Sequence, residues 1–341
     1  METINIDGEI YEYYEYSEDA EINDILWELR QCLNDFDKDI GIKNVIYDIV
    51  IFKENKIDAF AVKINSKYLL LISEGTFREL RTWFKMYFSR DDKIYEIFGL
   101  KNKNDDSYFK YTYQKALEFL IVHEYAHMIH GHCDIYQNKE KFICEQSKEI
   151  SGEEGLFSQT LEFHADIWAA AYLTEKIVKK YMSDEAEVEM LKLFVFAIYT
   201  VFKKFSDSHK YSFVKFKEDD LLKYTHPIAE IRYRYIMVII LANLPDWSSE
   251  RKDTLEKELV ASFMDFESQI LGLKDVKEKL FRMAHTSKGT KHLVRLHNNW
   301  NTVATELEAY IPDNHVKLER FVSLGKEAES VVLVDDDGEM I

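Results

Sequence analysis

Apolar residues recur at helical spacing between residues 22 and 36, where Ile22, Ile25, Leu26, Leu29, Leu33 and Phe36 form one stripe that predicts a packed helix. The period then changes. Val45 to Phe52 and Ile57 to Ile64 are β-rich runs separated by Lys53-Glu54-Asn55-Lys56, which reads as a hairpin turn. Tyr68 to Ile72 is a third apolar run, and Ser73-Glu74-Gly75-Thr76 leads into a helix from about Phe77 to Phe88. The simplest arrangement is a three-stranded antiparallel sheet standing before the next helix. After a polar loop, Lys101 to Ser107, come Ala116, Leu117, Phe119, Leu120, Val122, Ala126 and Ile129, with no proline among them and Gly131 as a natural stop. Residues 133–154 are polar and read as a long loop, and a second helix is expected from near Ser158.

Further helices are expected at about 184–205 and 228–244, and helical periodicity with charge-rich faces continues over 250–330. The expected fold class is α+β, mostly helical. It has a core over residues 1–245, a helical appendage over 246–326 and an acidic tail over 327–341.

Composition narrows the setting. The chain has 341 residues, 46% of them hydrophobic and 14% aromatic, enough for a sizeable core and too apolar for disorder. Net charge is −18, from 44 basic against 62 acidic residues, which disfavours binding to a phosphate backbone or an acidic membrane. Cys32, Cys133 and Cys144 are odd in number and show no paired spacing, so they read as reduced thiols. METINIDGEIYEYY has no apolar core and does not read as a signal peptide. The longest apolar runs, Leu193 to Phe202 and Tyr235 to Leu244, fall short of the roughly 20 residues a membrane span requires. The expectation is a soluble, cytoplasmic protein.

The chemistry concentrates in IVHEYAHMIHGH, Ile121 to His132. His123 and His127 are four apart and so share one helix face, where both imidazoles can meet one ion. Glu124 then stands beside that ion and can take a proton from water activated there. Zinc held by two histidines needs a third protein ligand and an open position. Glu162 in LEFHADIWAAAYL is the candidate, with Asp166 one turn on to accept a hydrogen bond from the far nitrogen of a ligating histidine. Ala165, Ala169, Ala170 and Ala171 leave a smooth surface for close helix approach. Glu153 and Glu154 are rival ligands, and His164 reads as a neighbour. In YTHPIAEIRYRYI, His226 precedes a proline at a helix start and could donate to an oxyanion. Arg232 could grip Glu162 or Asp166 with its two-pronged guanidinium.

These segments, in this order, resemble the gluzincin metallopeptidases, most closely the family of the CAAX prenyl proteases and bacterial heat-shock membrane proteases. That family has an Asn-Ala-Phe-like strand, H-E-x-x-H, E-x-x-A-D, and a Thr/Ser-His-Pro segment with Arg six residues after the histidine. The counterparts here are Asp58-Ala59-Phe60-Ala61, His123 to His127, Glu162 to Asp166, and Thr225-His226-Pro227 with Arg232. The resemblance implies one zinc per chain on His123, His127 and Glu162, with Glu124 as general base. It also implies Asp166 behind the ligands, His226 and Arg232 as transition-state support, and Asp58 to Ala61 as the strand that pairs with a peptide substrate. The chain departs from the family in lacking the flanking membrane helices and in placing Asp58 where the strand motif has asparagine. A weaker likeness, through His132, is to the phage-exclusion peptidases. A metzincin is excluded because Cys133 stands where its third histidine belongs. The reading is a zinc endopeptidase acting on a protein or peptide. Two rivals stand beside it: a metal-dependent hydrolase of other bonds, and a binding or sensor protein whose structural zinc is closed by His130, His132 or Cys133.

Overall fold

Helix α1 (Ala20–Ile40) forms on the predicted stripe, with Ile22, Leu26, Leu29, Leu33 and Phe36 all buried. Asp19 caps its start by accepting from the Glu21 amide, and Gly41 ends it at a φ of 71°. Each buried aliphatic or aromatic side chain contributes about 2 kcal/mol, so the face outweighs the helix's propensity. The structure is a computed structural model, and it describes residues 2–6, 9–90, 93–101, 106–138, 152–181, 184–208, 218–244, 246–274, 285–312 and 316–320.

The sheet differs from expectation. Its strands are β1 (Glu2–Ile6), β2 (Glu9–Tyr14), β3 (Tyr47–Phe52), β4 (Ala59–Ile64) and β5 (Lys67–Ser73), in the order β1-β2-β3-β5-β4. β3 pairs with β5 in parallel and β5 with β4 antiparallel, so the sheet is mixed and five-stranded rather than antiparallel and three-stranded. The hairpin turn lies at Asn65-Ser66, where Asn65 takes a φ of 54°. Lys53 to Lys56 is not a hairpin turn. Lys53 donates its amide to Glu12 of β2, and Glu54 accepts from the Gly75 amide, so this segment crosses toward the next helix before the chain turns back as β4. Alternation along β4 divides its side chains between two cores: Ala59 and Ala61 join the main core beneath the helices, Phe60 and Val62 a second core on the other face. β4 is an edge of the sheet and lies against the central helix.

Behind the sheet stand α2 (Glu74–Arg90), α3 (Lys93–Phe98), α4 (Asp106–Ile129), α5 (His132–Asn138), α6 (Gly152–Lys180), α7 (Asp184–Ser208) and α8 (Ala229–Ala242). α4 is the hub. From Ala116 to Ile129 every residue is buried, and the helix packs against α1, α2, α6, α7 and β4. Tyr125, a free position of the His-Glu motif, packs edge-on to Phe36 with centroids 4.8 Å apart, and its hydroxyl donates to Asp37. At Gly131, φ is 77°, and an added Cβ would stand 2.7 Å from the Tyr310 carbonyl carbon, so this turn from α4 to α5 admits only glycine.

α5 occupies the start of the segment expected to be a loop, and residues 139–151 of it lie outside the described residues. α6 begins at Gly152, six residues earlier than expected. Toward the C-terminus come α9 (Ser249–Asp265), a π-helical turn at Phe266–Ile270, and α10 (Ser287–Leu307). Leu255, Leu259, Phe263, Phe266 and Leu296 share the main core with α4, while Trp300 and Val303 of α10 form a smaller cluster with Leu161 of α6. The acidic tail, 327–341, lies outside the described residues. Among the described residues no helix is long and apolar enough to cross a membrane.

Candidate metal centre

α4 presents His123 and His127 one turn apart, and α6 brings Glu162 over them, its buried Ala165, Ala169 and Ala170 offering little bulk to hold the helices apart. His123 Nε2 lies 3.0 Å from His127 Nε2 and 3.3 Å from Glu162 Oε2, and Glu162 Oε1 is 3.2 Å from His127 Nε2. These three side chains could hold a metal ion. Two observations test the fit. Metal–nitrogen and metal–oxygen bonds of about 2.0–2.1 Å in a tetrahedron imply ligand–ligand edges of roughly 3.3–3.4 Å, close to the three separations here. Neither Glu162 oxygen makes a hydrogen bond of good geometry among the described residues, although the side chain is only 1% exposed. Buried carboxylate oxygens left this way are costly unless a cation answers them. The residues fit a three-ligand site with one coordination position left over.

Glu124 stands next to this set, its Oε1 4.0 Å from His123 Nε2. Behind His123, Asp166 Oδ1 is 2.9 Å from its Nδ1, which fixes the ring with Nε2 toward Glu162. Arg232 closes on Asp166 with Nε donating to Oδ2 at 2.8 Å and Nη2 to Oδ1 at 2.9 Å, and the Tyr235 hydroxyl also donates to Oδ2. Burial opposes the charge on Asp166, but the Arg232 guanidinium and His123 outweigh it and hold its pKa at about 2. Burial likewise opposes the Glu162 carboxylate, and His226 and His127 hold its pKa well below the usual range. His127 is pushed down by burial, so its neutral, metal-ready form is favoured.

His226 sits just before α8, its Nδ1 2.9 Å from Thr225 Oγ1 and its Nε2 3.4 Å from Glu162 Oε2. It faces the same carboxylate oxygen that lies 3.3 Å from His123 Nε2. Arg232 reaches Glu162 Oε2 at 3.7 Å, farther than it reaches Asp166. Asp58 is tied down at the foot of β4, its amide accepted by Thr76 Oγ1 at 2.9 Å, and Ala59, Phe60 and Ala61 follow along the edge strand.

The rival ligands fall away. Glu153 is exposed in the first turn of α6 and Glu154 half-buried there, and neither joins the converging group. His130 turns its Nδ1 to the Ala126 carbonyl at 2.9 Å and packs on Trp168. Cys133 is buried, and burial raises its thiol well above the ordinary value.

His132 stands outside the converging group but touches one of its members: its Nδ1 is 2.8 Å from His127 Nδ1. Its Nε2 in turn is 3.2 Å from Nδ1 of His164, which stacks on Trp300 at 3.9 Å between centroids. Also unforeseen from the sequence is how the wall carrying His226 is fastened. Gln159 Nε2 donates to the carbonyls of Leu221 and Tyr224, and His292 Nε2 lies 2.7 Å from Gln159 Oε1. Only the spacing of His132 from the motif hinted at its place; nothing local marks Tyr235, Gln159, His292 or Trp300.

The four central side chains, His123, Glu124, His127 and Glu162, are at most 1% exposed. Comparison with family models, curated proteins and solved structures gives no match.

Proposed function

We propose that the protein is a zinc-dependent endopeptidase of the gluzincin type. The observation that carries this reading is the convergence of His123, His127 and Glu162 with a coordination position to spare and Glu124 alongside. Zinc supplies Lewis acidity, polarising a carbonyl and making water acidic near neutral pH. Glu124 takes the proton from the attacking water and passes it to the leaving amine. His226, outside the ligand set but beside Glu162, donates to the oxyanion that develops. Asp166 fixes the His123 ring, and Arg232 fixes Asp166. The free side of edge strand β4 pairs with an extended peptide through main-chain hydrogen bonds, a mode that makes few demands on side chains.

A second reading draws on one observation. The ligands are almost wholly buried, which suits a binding or sensor protein with a structural metal as well as an enzyme that opens to admit its substrate. The experiment is a peptide-library digest with wild type and Glu124→Gln, each with its zinc measured. The peptidase reading expects both to hold zinc and only the wild type to cut. Equal cutting by both rejects Glu124 as the base, and zinc-loaded wild type that cuts nothing favours the structural metal.

A further inference from the structure

The two histidines of the site are oriented by different means. His123 turns its second nitrogen to a carboxylate, Asp166, whereas the second nitrogen of His127 meets another imidazole, His132, at 2.8 Å. Where no cation lies between them, a contact of that length between two ring nitrogens requires one to donate and the other to accept, and a neutral imidazole carries a single N–H. Resting on the reading that His127 Nε2 is a metal ligand, the direction is set: Nδ1–H of His127 donates to Nδ1 of His132. His132 must then carry its own proton on Nε2, which lies 3.2 Å from Nδ1 of His164. His132 and His164 are 0% and 3% exposed, and the His164 ring lies nearly parallel to the Trp300 indole, at 17°.

We infer that His132 is the positioning residue for the second metal histidine, and that the chain His127–His132–His164, backed by Trp300 of α10, holds the His127 ring in its metal-binding tautomer. A neutral acceptor adds no negative charge behind the ligand, unlike Asp166 behind His123. The site therefore combines one anionic support, neutralised by Arg232, with one uncharged support. The metal keeps more of its positive charge than it would between two carboxylate-backed histidines. The C-terminal helix thereby bears on the metal although it supplies no ligand.

The test uses the geometry of amide side chains. Asn at position 132 places an oxygen where Nδ1 of His132 stands, and Gln places its amide where Nε2 stands. The metal-free full-length wild type, His132→Asn, His132→Gln and His132→Phe are titrated with Zn2+ against a chromophoric chelator, with thermal unfolding of each metal-free form recorded alongside. The inference expects His132→Asn to bind within a few-fold of wild type. It expects His132→Gln and His132→Phe to lose about 10- to 100-fold in affinity. Equal affinity in all four overturns it while leaving the metal site standing. Equal weakening of the Asn and Gln variants also overturns it, since His132 would then only fill space. If Phe prevents folding, the Asn–Gln pair decides alone. A wild type that binds no Zn2+ rejects the metal reading itself.

Discussion

Arg232 and Asp166, 66 residues apart in sequence, meet in a two-pronged ion pair with 2.8 and 2.9 Å bonds, and both are at most 3% exposed. The pair is the structural reason that a carboxylate can stand behind His123 without solvent. Removing one partner of a buried pair leaves the other uncompensated, at about 3–5 kcal/mol. Arg232→Met in the metal-free protein should lose that much in urea unfolding. It should also weaken metal binding, because Asp166 is then free to take up a proton. Unchanged stability would mean that the pair contributes nothing to the fold.

The segment bearing His226 is seated on α6 by contact and by hydrogen bonds. A Cβ at Gly155 would lie 1.7 Å from the Leu222 carbonyl oxygen, so Gly155→Ala must push backbone apart and should cost about 3 kcal/mol or more. Gln159→Leu keeps the volume but strands the carbonyls of Leu221 and Tyr224 and the Nε2 of His292. It should lower kcat for peptide cleavage while leaving zinc affinity near wild type, since the hydrogen bonds of Gln159 run to Leu221, Tyr224 and His292 and not to the three candidate ligands. Loss of zinc with kcat per bound zinc unchanged would contradict this placement of His226.

Acid should act on the protein through histidines that burial holds neutral. Burial pushes both His130 and His292 down to about 3. Unfolded, each titrates at about 6.5. Below that value the unfolded chain binds protons that the folded one refuses, so stability falls as pH drops from about 6.5 toward 3. The slope is about 1.4 kcal/mol per pH unit for each such histidine, or about 2 kcal/mol each at pH 5. Burial lowers His132 and His164 in the same direction. Urea midpoints of the metal-free protein at pH 7 and pH 5 check this. His292→Gln should flatten the dependence by one such contribution, and an unaltered slope would show that His292 is not held neutral.

Much of this was legible in the sequence where the information is local. The stripe from Ile22 to Phe36 became α1, and the runs near 184–205 and 228–244 became α7 and α8, because an amphipathic or apolar period is a property of a short window. The His123–His127 spacing and the Glu162–Asp166 spacing survive for the same reason: residues one helical turn apart must share a face. The sheet did not follow, because pairing is decided between distant segments. β1 and β2 read only as a segment without an apolar core, since EIYEYY carries glutamate and tyrosine where a buried strand carries aliphatic residues. Lys53 to Lys56 has a turn's composition, yet its amides and carbonyls are answered by Glu12 and Gly75, contacts no local rule foresees. Tyr235, Gln159 and Trp300 act across helix–helix contacts and carry no signature in their own neighbourhoods.

The most direct measurement is the metal content of the purified protein beside its Glu162→Ala variant, by elemental analysis, with folding checked by circular dichroism. One zinc per chain is expected in the wild type and little or none in the folded variant, because Glu162 reaches both histidines, at 3.3 and 3.2 Å. Zinc held equally by both proteins would remove Glu162 from the site. A wild type that holds no metal would contradict the account at its centre, leaving His123 and His127 as core histidines and the peptidase reading without a basis.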